Sequence, residues 1–270
     1  MKFPALFVIS GAVMATGCGG EAIIDGARSD DATSGTTRVR LAHLSPDAPS
    51  VDLCVDAGDG VEPFVVSRAS VSYAEVSNYG AIDRGRDGVS FRLVAAGAGC
   101  GEGLLPDLVV GTFVDATSDI DVTIAAVGMV APMGTDQPLS LELYPDDNTP
   151  PAAGTARLRF IHASPDTPAV DVGTGTVADG TFAEVWDGVM FPDVGLLAGD
   201  AYLSTPPLEG ATVSARADDA PTDALVIPGV DLQEGQVATA FAVGNLDGDP
   251  QPLQVLLCVD NAAGGCARVP

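Results

Sequence analysis

One stretch of the chain occurs twice and decides how the rest is interpreted. Residues 40–53 read RLAHLSPDAPSVDL, and residues 159–172 read RFIHASPDTPAVDV. The two segments align without a gap over fourteen positions at an offset of 119 residues. Both histidines of the protein, His43 and His162, occupy the same place in this segment. Because the period is far above the roughly 20–50 residues of solenoid repeats, it indicates two copies of a whole domain.

Further matches follow in the same order through both copies. YAEV at residues 73–76 corresponds to FAEV at 182–185, and QPL at 137–139 recurs at 251–253. We therefore predict a first repeat over residues 38–146, a proline-rich linker over 147–155 and a second repeat over 156–270. Each repeat is long enough to bury a core of its own.

Within each repeat, apolar residues recur at every second position. Val39, Leu41 and His43 alternate with Arg38 and Arg40, and the second repeat does the same from residue 157 to 162. A period of two, interrupted by Gly, Pro, Asp and Asn, is typical of antiparallel strands joined by turns. The same alternation continues in residues 51–56, 89–93, 120–124 and 139–143. No helical pattern is present, so we predict an all-β chain of two tandem immunoglobulin-like antiparallel β-sandwich domains.

The duplicated segment, with its His, Ser-Pro-Asp, second Pro and Val-Asp positions, resembles a bacterial envelope family catalogued as domain of unknown function 4397. The resemblance covers nearly all of residues 38–260. Members of that family often carry the domain in tandem behind an export signal. The resemblance implies an extracytoplasmic β-sandwich module and brings no established catalytic residues.

The first residues predict export and a lipid anchor. An uncharged apolar run over residues 3–15 follows Lys2 and is too short for a hydrocarbon core that needs about 20 residues. The sequence Met14-Ala-Thr-Gly-Cys18 resembles the lipobox of bacterial lipoproteins, which implies a signal peptide at 1–17 and lipidation of Cys18. Residues 18–37 are predicted to be a flexible tether. The alternative is an ordinary secretory signal; Gly19 and Gly20, with no Asp after the Cys, favour the outer membrane or cell surface.

Charge restricts the partners of this protein. The formal net charge is −25 at pH 7, which repels phosphate backbones, so no nucleic-acid partner is expected. Anionic lipid head groups repel such a chain as well, and stable attachment to a membrane takes more than one acyl chain. A lipid anchor would supply the attraction that the chain lacks.

Cysteine spacing predicts two local disulfides. Apart from Cys18, four cysteines remain in a chain predicted to be exported. Locality favours Cys54 with Cys100 inside the first repeat and Cys258 with Cys266 at the end of the second. Other pairings stay open, whereas a zinc site is disfavoured because no Cys-x-x-Cys spacing occurs.

The duplicated segment also carries the candidate chemistry. Each histidine is followed four and nine residues later by aspartates: Asp47 and Asp52 after His43, Asp166 and Asp171 after His162. Such a set is able to hold a metal or act as a general base. The structural alternative is an imidazole, in phase with the apolar face, that bonds to the adjacent turn, which the aspartate caps.

Other candidates are weaker. Asn245, Asp247 and Asp249 resemble half of a calcium loop, but the Glu that closes an EF-hand is missing and Asp-Gly favours a hairpin. Trp186 is assigned to core packing, with glycan stacking as the alternative. No catalytic motif was found and no cofactor is predicted, although calcium at clustered carboxylates stays open.

Two functional hypotheses follow. The first is a non-enzymatic, membrane-anchored envelope lipoprotein that serves as a scaffold or binds an envelope protein or polysaccharide. The second is an extracytoplasmic hydrolase or metal-dependent enzyme that uses the repeated His and Asp residues. They differ in whether the loss of the histidines abolishes an activity or destabilises the fold.

Overall fold

The computed structural model describes residues 37–56, 64–82, 89–110, 119–262 and 265–269. The predicted signal peptide, Cys18 and nearly all of the predicted tether lie outside these residues. Residues Ser34–Pro270 form one compact unit that contains both repeats. The described residues contain strands and turns but no α-helix, and hence no helix long and apolar enough to cross a membrane.

The first repeat is built from two facing sheets. One sheet has the order β4-β1-β8-β9, with β5 also paired to β1, and the other has the order β3-β2-β6-β7. The strands are β1 (Thr37–His43), β2 (Val51–Asp56), β3 (Val65–Val71), β4 (Glu75–Val76), β5 (Gly80–Ile82), β6 (Val89–Ala95), β7 (Leu108–Val110), β8 (Ile120–Val127) and β9 (Ser140–Asp146).

The second repeat reproduces this plan. Its sheets have the orders β13-β10-β16-β17-β18 and β12-β11-β14-β15. The strands are β10 (Ala156–His162), β11 (Val170–Thr174), β12 (Ala183–Val189), β13 (Leu203–Thr205), β14 (Leu208–Ala217), β15 (Leu225–Leu232), β16 (Val237–Val243), β17 (Gln254–Val259) and β18 (Cys266–Val269). The all-β prediction and the two sandwiches are therefore confirmed.

Each repeat contains one pair of strands that the antiparallel expectation did not include. β1 runs parallel to β8 over residues 37–43 and 120–126, and β10 runs parallel to β16 in the same way. Alternation reports which face of a strand is buried, but it carries no information on the direction of the neighbouring strand. The remaining strand pairs are antiparallel.

Each sandwich has its own apolar core. In the first repeat, Val39 and Leu41 of β1 face Leu53 and Phe91 of the opposite sheet, and all four side chains are fully buried. In the second repeat, Phe160 and Trp186 pack together with ring centroids 5.8 Å apart. The alternating positions read as apolar from the sequence therefore form the interior of each sandwich.

The outer faces of two sheets pack against each other, so the two sandwiches share a third apolar cluster. Residues from both repeats lie in it: Ala42, Leu44, Ala125, Val127 and Tyr144 from the first, and Ile161, Ala163, Phe241, Val243, Leu256 and Cys258 from the second. Strands β1 and β10 are consequently buried on both faces. The predicted boundaries of the linker stay predictions; β9 ends at Asp146 and β10 begins at Ala156.

Two buried ion pairs cross this contact in a reciprocal pattern. Nη2 of Arg40 lies 2.8 Å from a carboxylate oxygen of Asp260, and Nη2 of Arg159 lies 2.5 Å from one of Asp146. Arg40 and Arg159 share the offset of 119, while Asp146 ends β9 and Asp260 directly follows the matching strand β17. Each repeat therefore supplies one arginine to the other repeat's aspartate, as the partners of an isologous contact do.

Candidate functional site

The two histidines of the duplicated segment are buried and bonded to their own turns. His43 and His162 are fully buried at the ends of β1 and β10. Nε2 donates to the carbonyl oxygen of Pro49 at 2.8 Å in the first repeat and of Pro168 at 3.0 Å in the second. Because a carbonyl only accepts, this bond places the ring proton on Nε2.

The remaining ring nitrogen has little freedom for chemistry. Nδ1 of His162 accepts the backbone N–H of Ser164 at 3.3 Å, and Nδ1 of His43 is buried without a partner among the described residues. Burial lowers the pKa of both imidazoles below their ordinary value, against the hydrogen bonds to Pro49 and Pro168, which raise it. Both rings are therefore neutral and enclosed at pH 7.

The aspartate four residues after each histidine holds a hairpin, not the imidazole. The carboxylate of Asp47 accepts the backbone N–H groups of Val130 and Ala131 at 2.8 and 2.9 Å, in the β8–β9 connection. Asp166 accepts those of Leu246 and Asp247 at 2.7 and 3.2 Å in the β16–β17 connection. The Ser-Pro-Asp turn thus ties the start of each repeat to its last hairpin.

The aspartate nine residues after each histidine holds two residues in the left-handed region. Asp52 accepts the N–H groups of Ser70 and Gly97 at 2.7 and 2.9 Å, where φ is 54° and 77°. Asp171 likewise accepts those of Gly188 and Asp219, where φ is 57° and 56°. Non-glycine residues rarely adopt this conformation, so a carboxylate that bonds their N–H groups stabilises it.

Among the described residues, no hydrogen bond joins either histidine to a carboxylate. Each of the six residues of the duplicated segment therefore forms hydrogen bonds with backbone groups, and no His–Asp pair forms among them. Each member of the set satisfies a turn, a hairpin or a bulge, which is the arrangement that the structural alternative describes.

Three carboxylates in the second repeat come close enough to share a cation. One oxygen each of Asp171, Asp187 and Asp218 lies within 4.8 Å of the others. Partial loss of hydration and repulsion from neighbouring carboxylates, Asp171 first among them, raise the pKa of Asp218. However, the guanidinium of Arg216 already donates to Asp171 at 3.0 Å and pairs with its negative charge. Oxygen ligands suit calcium, but both carboxylate oxygens of Asp171 already accept hydrogen bonds.

The two weaker candidates are accounted for by local structure. Asn245–Asp249 forms the turn between β16 and β17, in which the N–H of Gly248 donates to the carbonyl of Asn245 at 3.1 Å. Trp186 is 4% exposed and packs over Gly195, where a Cβ atom would lie 2.5 Å from the indole. The tryptophan is a core residue, and its ring has no free face for a glycan among these contacts.

Two disulfides are present in the described residues. Cys54 bonds to Cys100 and Cys258 bonds to Cys266. These are the local pairs that the spacing favours. The first ties β2 to the loop after β6, and the second joins β17 to β18.

Sequence reasoning missed the charged contact between the repeats. Arg40 and Arg159 stand on the polar side of their strands in the alternating pattern, yet they are 4% and 1% exposed. Desolvation opposes their charge, but Asp260 acts on Arg40 and Asp146 on Arg159 strongly enough to keep the pKa of both guanidinium groups above the ordinary value. The signal was available: arginine occupies the same position in both copies, and an aspartate stands at the end of β9 and directly after β17.

Comparison with known proteins places the chain in a family. The family described as domain of unknown function (DUF4397) matches residues 37–173, which is half of the chain. No curated protein matches this chain. A solved structure titled "Alpha-glucan binding by a streptococcal virulence factor" is 14% identical, with 76% of this chain and 92% of that chain covered and a TM-score of 0.23. The matched residues contain the whole first repeat and the second copy of the His–Ser-Pro-Asp segment, so this chain belongs to the DUF4397 family.

Proposed function

We propose that this chain is a non-enzymatic protein of the bacterial cell envelope that serves as a scaffold or binds an envelope protein or polysaccharide. One observation carries the proposal. The candidate catalytic side chains already form hydrogen bonds with backbone groups inside the fold; these are His43 and His162 with their aspartates. A general base or metal ligand needs an accessible lone pair, and the geometry of this segment provides a rigid framework instead.

The proposed location is extracytoplasmic, with a lipid on Cys18 as the anchor to the outer membrane or cell surface. Disulfides persist mainly in oxidising compartments, and the two in this chain support export. The net charge of −25 supports a lipid anchor over electrostatic attachment to anionic head groups.

The catalytic alternative is tested by the histidines. His43→Gln and His162→Gln each remove a buried hydrogen bond, and we expect each to lower the free energy of unfolding by about 1–3 kcal/mol. Urea denaturation followed by circular dichroism measures this, with the exposed Glu209→Gln as a control that should change stability by less than about 0.5 kcal/mol. Full stability of both histidine variants together with loss of a hydrolytic activity would favour the enzyme.

Binding is tested on the protein with Cys18→Ser, which has no thiol at this position to accept an acyl group. Its melting temperature is recorded with peptidoglycan fragments and with polysaccharides purified from a bacterial envelope, with and without calcium. A ligand that binds the native state raises the melting temperature by mass action. Chemical cross-linking on intact cells covers protein partners. If no envelope component binds or cross-links, the binding role is wrong.

Anchoring is tested separately by fractionation. The wild-type chain should partition with membranes and enter the detergent phase, whereas Cys18→Ser should appear in the soluble extracytoplasmic fraction. Recovery of both proteins in the soluble fraction would contradict the lipid anchor but leave the binding role open.

A further inference from the structure

The sandwich of the second repeat contains a cavity that plays no part in the function proposed above. The cavity has a volume of about 60 Å³ and lies between the two sheets, and the surface that lines it is apolar throughout. Two hydroxyl groups beside it are engaged elsewhere: that of Ser164 donates to the carbonyl of Gly244 at 2.6 Å, and that of Ser214 to the carbonyl of Gly175 at 2.8 Å. The indole N–H of Trp186 has no hydrogen-bond partner among the described residues, but it is buried and adds no polar surface to the lining.

The cavity exists because three core positions carry smaller side chains in this repeat than in the first. Strand register defines the matching positions, since β6 pairs with β2 as β14 pairs with β11, and β8 pairs with β1 as β16 pairs with β10. At these positions the first repeat has fully buried large residues and the second has small ones: Phe91 against Val213, Leu93 against Ala215, and Ile124 against Ala240.

Larger residues elsewhere recover only part of this volume. Phe160 stands where the first repeat has Leu41, and Trp186 faces Val172 where Arg68 faces Leu53. The cavity remains, and it reaches solvent: Ala240 lies in a central strand but is partly exposed, as are Leu225 of β15 and Val269 of β18. The matching Ile124 of the first repeat is completely buried.

An open apolar cavity is costly for a protein that gains nothing from it. Protein interiors are packed closely, and a void left by smaller side chains lowers stability in proportion to its volume. Apolar cavities stay dry and accept apolar molecules. By the usual measure, in which one water needs about 10–15 Å³, this cavity holds about four to six groups of that size.

We infer that the cavity between the sheets of the second repeat binds the alkyl chain of a neutral amphiphile. The lining exposes no polar surface to the cavity, which penalises any polar atom placed inside it, so the buried part of the ligand is hydrocarbon. No Lys or Arg lines the cavity, and the net charge of −25 disfavours an anionic head group at its mouth. This inference stands independently of the function proposed above.

The single tryptophan of the chain makes the site directly observable, because Trp186 lines the cavity. The full chain with Cys18→Ser, which carries no acyl group of its own, is titrated with 10-bromodecanol, whose bromine quenches tryptophan on contact. We expect saturable quenching that 1-decanol reverses by competition. The short 2-bromoethanol, which is a collisional quencher, should give a linear and weaker response.

Two variants fill the cavity with the residues of the first repeat. Ala240→Ile and Ala215→Leu should each raise the melting temperature and weaken 10-bromodecanol binding at least tenfold. Either variant alone is sufficient if the other does not fold. Linear quenching of the Cys18→Ser chain, or saturable quenching of unchanged affinity in a folded filled variant, would overturn the inference and leave the cavity as a packing defect.

Discussion

The ion pair that neutralises Arg159 offers a direct test of how the two repeats are held together. Arg159 is 1% exposed, and its Nη2 lies 2.5 Å from Oδ1 of Asp146, a residue of the first repeat. The same carboxylate accepts the hydroxyl protons of Thr123 and Tyr79, each at 2.7 Å. The Asp146→Ala change therefore leaves a buried guanidinium without its counter-charge and two hydroxyl groups without their acceptor.

The expected cost is large because the remaining charge stays in a poorly solvated place. Removal of one partner of a buried ion pair costs about 3–5 kcal/mol. The Arg92–Asp107 pair is a matched control, since its N···O distance is 2.7 Å but its side chains are 21% and 28% exposed. Because such solvated pairs contribute about 0–1 kcal/mol, Asp107→Ala should lower the free energy of unfolding by far less.

Urea unfolding at pH 7 measures both variants against the wild-type chain. Circular dichroism reports the whole molecule, while the fluorescence of Trp186 reports the second repeat. Since Asp146 belongs to the first repeat, an earlier fluorescence transition in Asp146→Ala shows that one repeat stabilises the other. A loss of stability in Asp146→Ala no larger than that in Asp107→Ala would refute the buried ion pair as a structural link.

Three further predictions concern the histidines, the hairpins and an exposed carboxylate. Burial lowers the pKa of both histidines in the folded state, so the unfolded chain binds protons at a higher pH than the folded chain. The free energy of unfolding should therefore fall as the pH decreases below about 6.5, by up to about 1.4 kcal/mol per pH unit for each ring. Urea titrations at pH 7 and 5.5 should show a smaller fall in His43→Gln. Gly244→Ala should lower the free energy of unfolding by about 2–4 kcal/mol, because φ is 88° and a Cβ would lie 2.2 Å from a proline carbonyl oxygen. Gly248→Ala should lower it by only about 1–2 kcal/mol, because φ is 85° but the space around the Cβ is open. Equal losses of stability in thermal denaturation would contradict this. The hydrogen bond from Arg157 lowers the pKa of Asp147 from its ordinary value of 3.8 to about 2. This carboxylate therefore stabilises the fold above pH 3.8, and the contribution is lost as the pH falls toward 2. An NMR titration of Arg157→Gln should show that the pKa of Asp147 returns toward 3.8.

Much of the fold could be predicted because duplication and alternation are properties of the chain itself. The inward positions Val39, Leu41 and Phe160 followed from a period of two, and all are buried in the sandwich cores. The parallel neighbours β1 and β8 could not be predicted, since alternation is the same for either direction of the adjacent strand. The contact between the repeats was hidden for a related reason: Arg40 on the polar face looks identical whether that face meets water or an aspartate more than two hundred residues away.

The candidate site shows a different limit of sequence reasoning. A histidine followed by two aspartates is compatible with catalysis, with metal binding and with turns, because all three use the same donors and acceptors. What decides between them is the distance from each carboxylate to its partner. Asp47 and Asp52 bind backbone N–H groups of segments that lie 83 and 18 residues further along the chain. No spacing within the duplicated segment contains that information.

The reciprocal ion pairs explain why a duplicated domain keeps charge on a face that is buried. Arg40 lies 2.8 Å from Asp260 of the other repeat but 3.8 Å from Asp146 of its own, so the shorter contact crosses between the repeats. Each repeat contributes one arginine and one aspartate, and each charge lies beside an opposite charge of the other repeat only when the two sheets face each other. Separation of the sandwiches would therefore break both ion pairs and expose the apolar cluster around them. The contact between the two copies therefore rests on paired buried charges as well as on apolar packing.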